Sequence, residues 1–234
     1  MHLILFIGIA LLSFLVQWNL KNKFEKYGKV FLPNRMTGRD VAVKMLHDNG
    51  IYDVRVISTP GQLTDHYNPV DKTVNLSEDV YNDCSVAATA VAAHECGHAL
   101  QHANAYAPLK MRSAMVPVVS FASSWMQWVL LIGILTIESF PQIMLGGIIL
   151  FAMTTLFAFI TLPVEINASV RASSWLQRAG ITTYETHPMV NDALRSAAYT
   201  YVAAALGSLA TLVYYILRYL RYDIHRRTIL EVLS

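Results

Sequence analysis

Charge is scarce in this chain. Only 15% of its 234 residues are Asp, Glu, Lys or Arg and 54% are hydrophobic, too apolar a balance for an ordinary soluble domain. The shortage is local: residues 1–20, 113–137, 139–164 and 196–217 carry no Asp, Glu, Lys or Arg. At about 1.5 Å per helical residue, each run can cross a hydrocarbon core of about 30 Å. Ionisable residues are missing from inside these runs, which argues against a transporter. A net charge of +2 without a basic patch excludes a nucleic-acid partner. Cysteine is limited to Cys84 and Cys96, which form no C-x-x-C pair and, on or near one helix, stand far beyond disulfide reach. We read both as small packing residues, with a free thiol as the alternative. Internal repeats and low-complexity stretches are absent as well.

What is present is four expected transmembrane helices, at 1–20, 113–137, 142–164 and 196–217. The first lacks a basic n-region and a small-residue cleavage site, so an uncleaved anchor is expected over a signal peptide. Lys21, Lys23, Lys26 and Lys29 follow it. Clustered lysines favour the cytoplasmic side, unless they serve only as headgroup anchors. Four crossings from an outside N-terminus leave the basic tail, 218–234 with Arg218, Arg221, Arg226 and Arg227, outside as well. That conflicts with the positive-inside preference: the tail is an exception, one span is re-entrant, or the assignment is inverted.

The polar segments lie between the spans. Residues 21–112 have the texture of a small α+β subdomain. Thr37-Gly-Arg-Asp40 is a capping box ahead of a helix that Gly50 can end. The stretches 53–57 and 72–76 alternate polar and apolar residues, so they are expected as strands of a small antiparallel ribbon. Its edge is either free to take an extended peptide or covered by the protein. Ser77 is placed as the cap of a short helix, and Ser85 as the cap of a longer one over about 85–103. Between the second and third spans, Glu138-Ser-Phe-Pro141 is too short for a domain. The two spans therefore form a hairpin, and residues 165–195 emerge where residues 85–103 lie. That last segment is expected to be helical to Ala179, to end at Gly180 and to turn at His187-Pro188.

Within 85–103 stands His94-Glu95-Cys96-Gly97-His98. On a helix, residues i and i+4 share a face, so His94 and His98 can grip one ion, as in H-E-x-x-H zinc hydrolases. Glu95 starts on a neighbouring part of that surface and can accept a proton from water activated at the metal. Cys96 points about 200° away from His94. Five residues can match by chance, and a helical His or Glu is often merely solvated. However, Ser85 to Ala93 is free of charge, which implies a buried helix, and a buried His-Glu-His group needs a partner. Catalytic zinc usually has three protein ligands. His102 lies about 12 Å along a continuous helix from His94, too far to join, and is expected to support or pack instead. Glu165, at the emerging end of the hairpin, is the better third ligand; its alternative role is a carboxylate at the positive end of its helix.

The runs Leu63-Thr-Asp-His-Tyr67, Ala92-Ala-His-Glu-Cys-Gly-His-Ala-Leu-Gln-His102, Tyr106-Ala-Pro-Leu109, Leu162-Pro-Val-Glu165 and Thr200-Tyr-Val-Ala-Ala-Ala-Leu206 resemble the bacterial YugP-like neutral zinc metallopeptidases. The resemblance spans roughly residues 35–210. It implies a membrane-bound zinc endopeptidase, distantly similar to HtpX-like and CAAX-processing membrane proteases. Those relatives take their third ligand from a glutamate in E-x-x-x-D, which maps onto Glu165. Here Ser169 stands in the aspartate position, which leaves open what orients a ligand histidine. Candidate donors to an oxyanion are His187, Arg195, Tyr201 and His66. His187 ranks first because His187-Pro188 resembles a His-Pro element of HtpX-like relatives.

The expectation is a mainly α membrane protein of about four spans with a small α+β zincin-like subdomain at the membrane surface. It would bind one catalytic zinc through His94, His98 and Glu165 and use Glu95 as general base. Its partners would be a peptide or protein substrate and the lipid bilayer, with the oligomeric state left open. Its place would be the bacterial inner membrane, site facing the cytoplasm, in membrane-protein processing or quality control. The alternatives are a non-catalytic zinc scaffold or chaperone, which could dispense with Glu95, and an intramembrane site-2-type protease. The latter would bury H-E-x-x-H in a full span and add an intramembrane aspartate motif, which is missing.

Overall fold

The computed structural model describes residues 2–233. Among the described residues, four helices are long and apolar enough to cross a membrane: α1 (His2–Tyr27), α5 (Ala107–Leu135), α6 (Pro141–Arg178) and α7 (Thr186–Leu233). Their outward faces carry large apolar side chains in the open, among them Phe14, Trp125, Leu135 and Phe159, as a lipid-facing surface requires. The protein is a mainly helical membrane protein with a small α+β part. Helix α6 is central: α5 packs along it through Gly133 and Gly147, whose missing side chains admit Met144 and Leu130, and α7 packs on it from elsewhere. Helix α1 lies on α7, where Lys23 pairs with Asp192 and the Tyr27 hydroxyl donates to Asp192 Oδ2 at 2.5 Å.

Between α1 and α5 lie α2 (Gly38–Asp48), β1 (Arg55–Thr59), β2 (His66–Asn68), β3 (Thr73–Ser77), α3 (Glu78–Asn82) and α4 (Val86–Ala103). Thr37 and Asp40 make the reciprocal capping box, and Gly50, at φ +73°, follows the end of α2 in a conformation that favours glycine. Ser85 caps α4 by accepting from the Ala88 amide. Ser77 precedes α3 but caps nothing. Its hydroxyl and amide bind Asp65 and tie the approach to β2 onto the end of β3.

The sheet corrects one expectation. Strands β1 and β3 are parallel, because the chain first crosses to the far side of β3, forms β2, and reverses through Asn68–Asp71 into the centre. The antiparallel pair is β2–β3, the order is β1-β3-β2, and β3 is buried along its length. The helix bounds differ too. Helix α5 begins before residue 113. Helix α6 runs through Pro163 and across the expected boundary at 164, since one proline removes one backbone bond without ending a long packed helix. His187-Pro188 is no turn: both lie in the first turn of α7, where proline is tolerated, and the reversal occurs just before them, with Thr183 and Thr186 capping one another. The span expected at 196–217 and the basic tail as far as Leu233 are parts of this one helix, and Ser234 lies outside the described residues.

Candidate metal centre

Helix α4 is buried on nearly every side, packed between α2 and α6, and presents His94, Glu95 and His98 to a cavity of about 500 Å³. It can lie so close to α6 because residue 97 is glycine: a Cβ there would stand 2.5 Å from the Ala168 carbonyl oxygen. This contact brings Glu165, on α6 and 3% exposed, across to the histidines. Its Oε2 is 3.3 Å from His94 Nε2 and 3.5 Å from His98 Nε2. Ligand atoms of His94, His98 and Glu165 all lie within 4.8 Å of one another. Donors at about 2.0–2.1 Å from a tetrahedral ion stand about 3.3 Å apart, a spacing that the two histidine–carboxylate separations match.

The remaining nitrogens are held. Buried Gln101 donates through Nε2 to the Val164 carbonyl, at 2.7 Å, and to Asn167 Oδ1, which turns its own Oε1 to His98 Nδ1 at 3.0 Å. His98 therefore keeps its proton on Nδ1 and leaves Nε2 for a metal. Arg171 also donates to Asn167 Oδ1, at 2.7 Å. His94 Nδ1 lies 3.1 Å from Ser169 Oγ, so the serine occupies the place an aspartate would take and supplies a hydroxyl to the ring. Glu165 Oε1 faces Arg112 Nη1 at 3.5 Å. Burial favours the neutral His98 ring, but the Glu165 and Glu95 carboxylates outweigh it and hold its pKa above the ordinary imidazole value. A cation and a proton thus compete for the same nitrogen. Replacing Gln101 by leucine, which leaves His98 Nδ1 and the Val164 carbonyl unpaired, is expected to lower zinc affinity about 10–100-fold, measured by competition with a chelating dye.

Not every candidate comes together. Glu95, 9% exposed, lines the cavity beside the three converging residues. Tyr201 lines it from α7 close to the Glu165 carboxylate, and His66 and His102 line its outer part. His66 Nδ1 is engaged with the Thr64 carbonyl, and His102 Nδ1 with the Tyr67 hydroxyl at 2.8 Å. His187 and Arg195 are not among the lining residues; His187 Nδ1 meets Thr182 Oγ1 at 3.1 Å. Cys84 and Cys96 are free, and burial pushes the Cys96 thiol far up, as suits a packing residue. Gln101 and Arg112 were not foreseen as site residues. Gln101 had a signal, since it stands three residues after His98 on one helix face. Arg112 had none, because only the approach of α5 to α6 brings it to Glu165.

Residues 2–220 match a family model described as "Putative neutral zinc metallopeptidase". The chain is 44% identical over 220 residues to the Bacillus subtilis (strain 168) protein named "Putative membrane protease YugP", an alignment covering 93% of this chain and 97% of that one. No solved structure gives a significant match. With nearly its whole length matched, and with His94, His98 and Glu165 grouped where they could hold one metal ion, the chain belongs to the neutral zinc metallopeptidase family.

Proposed function

We propose that the protein is a membrane-anchored zinc endopeptidase in which His94, His98 and Glu165 hold the metal and Glu95 is the general base. The observation that carries this reading is the convergence of the three donors in one cavity with an additional carboxylate, Glu95, in its wall. When bound, zinc supplies Lewis acidity that acidifies water and polarises a carbonyl. Glu95 accepts the proton of the attacking water and returns it to the leaving amine. Tyr201 and Arg112, both in the cavity wall, are the donors we assign to negative charge developing on the carbonyl oxygen; His187, away from that wall, receives no such role. Strand β2 lies at the sheet edge and shares His66 and Tyr67 with the cavity, so an extended substrate can add to it by backbone hydrogen bonds. The lysines closing α1 favour a bacterial inner-membrane protein whose site faces the cytoplasm, with membrane-protein processing or quality control as its task.

The test is hydrolysis of a mixed peptide library by the purified full chain. Cleavage is expected with zinc, should cease when a chelator strips the metal, and should return on adding zinc. Equal cleavage by metal-stripped protein would contradict the reading.

A further inference from the structure

A second cavity, of about 350 Å³, is lined by α5, α6 and α7, three helices that also contribute to the wall of the metal cavity. Arg112 and Ser113 of α5, Glu165 of α6 and Tyr201 of α7 line the first; Met126 and Gln127, Phe151, and Tyr215 line the second. Each pair, 112/126, 113/127, 165/151 and 201/215, is separated by 14 residues. On an α-helix that is about 21 Å and about 40° short of four full turns, so each helix presents the same face to both cavities. Helices α5 and α7 each pack along α6 without an extended approach to one another. The cavities are therefore two widenings of one seam between α5 and α7, floored by α6.

The seam lies at membrane depth. Gln127 stands eight residues from Leu135 at the hairpin end of α5, about 12 Å, and about 21 Å from Ser113. The sum is close to a hydrocarbon thickness, which puts the metal cavity at the boundary opposite the hairpin. On α5 the face toward the seam carries Ser113, Ser120 and Gln127, seven residues apart and all exposed. Gln127 makes no hydrogen bond among the described residues, and lipid tails offer it none. A polar side chain on another polypeptide helix does. A second copy seated here would obstruct the route to the metal, whereas a substrate would use it.

Resting on the protease reading, we infer that the α5–α7 seam receives a transmembrane helix of the substrate, one with a polar residue near its middle. Its juxtamembrane segment, about 21 Å along, then enters the metal cavity. The substrate class is thus a membrane-spanning protein cut just outside its span.

The test uses the full chain carrying Glu95→Gln, in lipid nanodiscs. The probe is a synthetic Leu/Ala helix of about 20 residues with one central Asn, continued by an unstructured mixed-sequence segment. Binding is read by fluorescence energy transfer, which needs no turnover. Thr211→Trp, which fills the seam from α7, and Gln127→Leu, which keeps nearly the same size, should each weaken binding about tenfold. Val118→Trp, nine residues and so about half a turn round α5 from Gln127, should leave it unchanged. Zinc content checks that each variant is folded. Equal binding by the three variants would overturn the inference. So would equal binding of an all-Leu/Ala probe, or energy transfer between protein copies that Thr211→Trp alone abolishes. Seam-dependent binding of a probe that the Glu95 protein never cleaves would remove the protease reading and keep the docking face. Cleavage without seam dependence would do the reverse.

Discussion

Replacing Glu95 by glutamine is expected to reduce peptide hydrolysis by about 10²–10⁴-fold while zinc stays at one per chain. Glutamine has nearly the size of glutamate, so the tightly buried α4 keeps its packing. Glu95 is also outside the trio whose donor atoms converge, so its loss removes no ligand. What disappears is a carboxylate able to take and return a proton within the cavity. Retained zinc with lost hydrolysis separates the base from the ligands. A variant that keeps full hydrolysis would move the base elsewhere, and one that loses zinc would make Glu95 a ligand. A scaffold that only binds zinc predicts no measurable difference.

Gly97→Ala should be nearly as damaging, although the residue touches no substrate. An ideal Cβ at position 97 would lie 2.5 Å from the Ala168 carbonyl oxygen and 3.0 Å from its Cα and carbonyl carbon. All are backbone atoms and cannot rotate aside, so α4 and α6 must separate by about 1 Å to reach van der Waals distance. His94 and His98 sit on one of these helices and Glu165 on the other. Their separations of 3.3 and 3.5 Å, close to the donor spacing around a tetrahedral ion, would widen by a similar amount and leave that spacing. We expect zinc affinity and hydrolysis each to fall by about a hundredfold or more. Gly146→Ala is the control: the added Cβ meets nothing within 4 Å, so zinc binding should match the parent. Zinc titration and peptide hydrolysis measured on both variants decide the matter. Unchanged zinc affinity in Gly97→Ala would mean that the helix contact does not set the site.

Helix α4, its Ser85 cap and the shared face of His94 and His98 follow from local rules of spacing and capping, and all were legible. So was the return of Glu165 to the histidines, because a hairpin with a short tip must bring its far end back to the same side. The partnership of β1 with β3 was not. Pairing depends on the path taken between strands, and Pro60-Gly61 and Asn68-Pro69 mark turns without saying which side of β3 the chain visits. The boundary expected at 164 and the turn expected at His187-Pro188 are both absent, because a long packed helix absorbs Pro163 and Pro188 falls in a helix's first turn. Ser169 and Gln101 gained meaning only when α4 and α6 came together, since neither type names a metal site on its own.

The central claim is that one zinc is held by two histidines of α4 and a glutamate of α6. Metal analysis of purified Glu165→Ala, beside the parent protein, tests it most directly. The parent should carry one zinc per chain, and the variant should lose it on dialysis against a buffer in which the parent keeps it. A variant that retains one zinc with undiminished affinity would place the third ligand somewhere other than Glu165 and contradict the account.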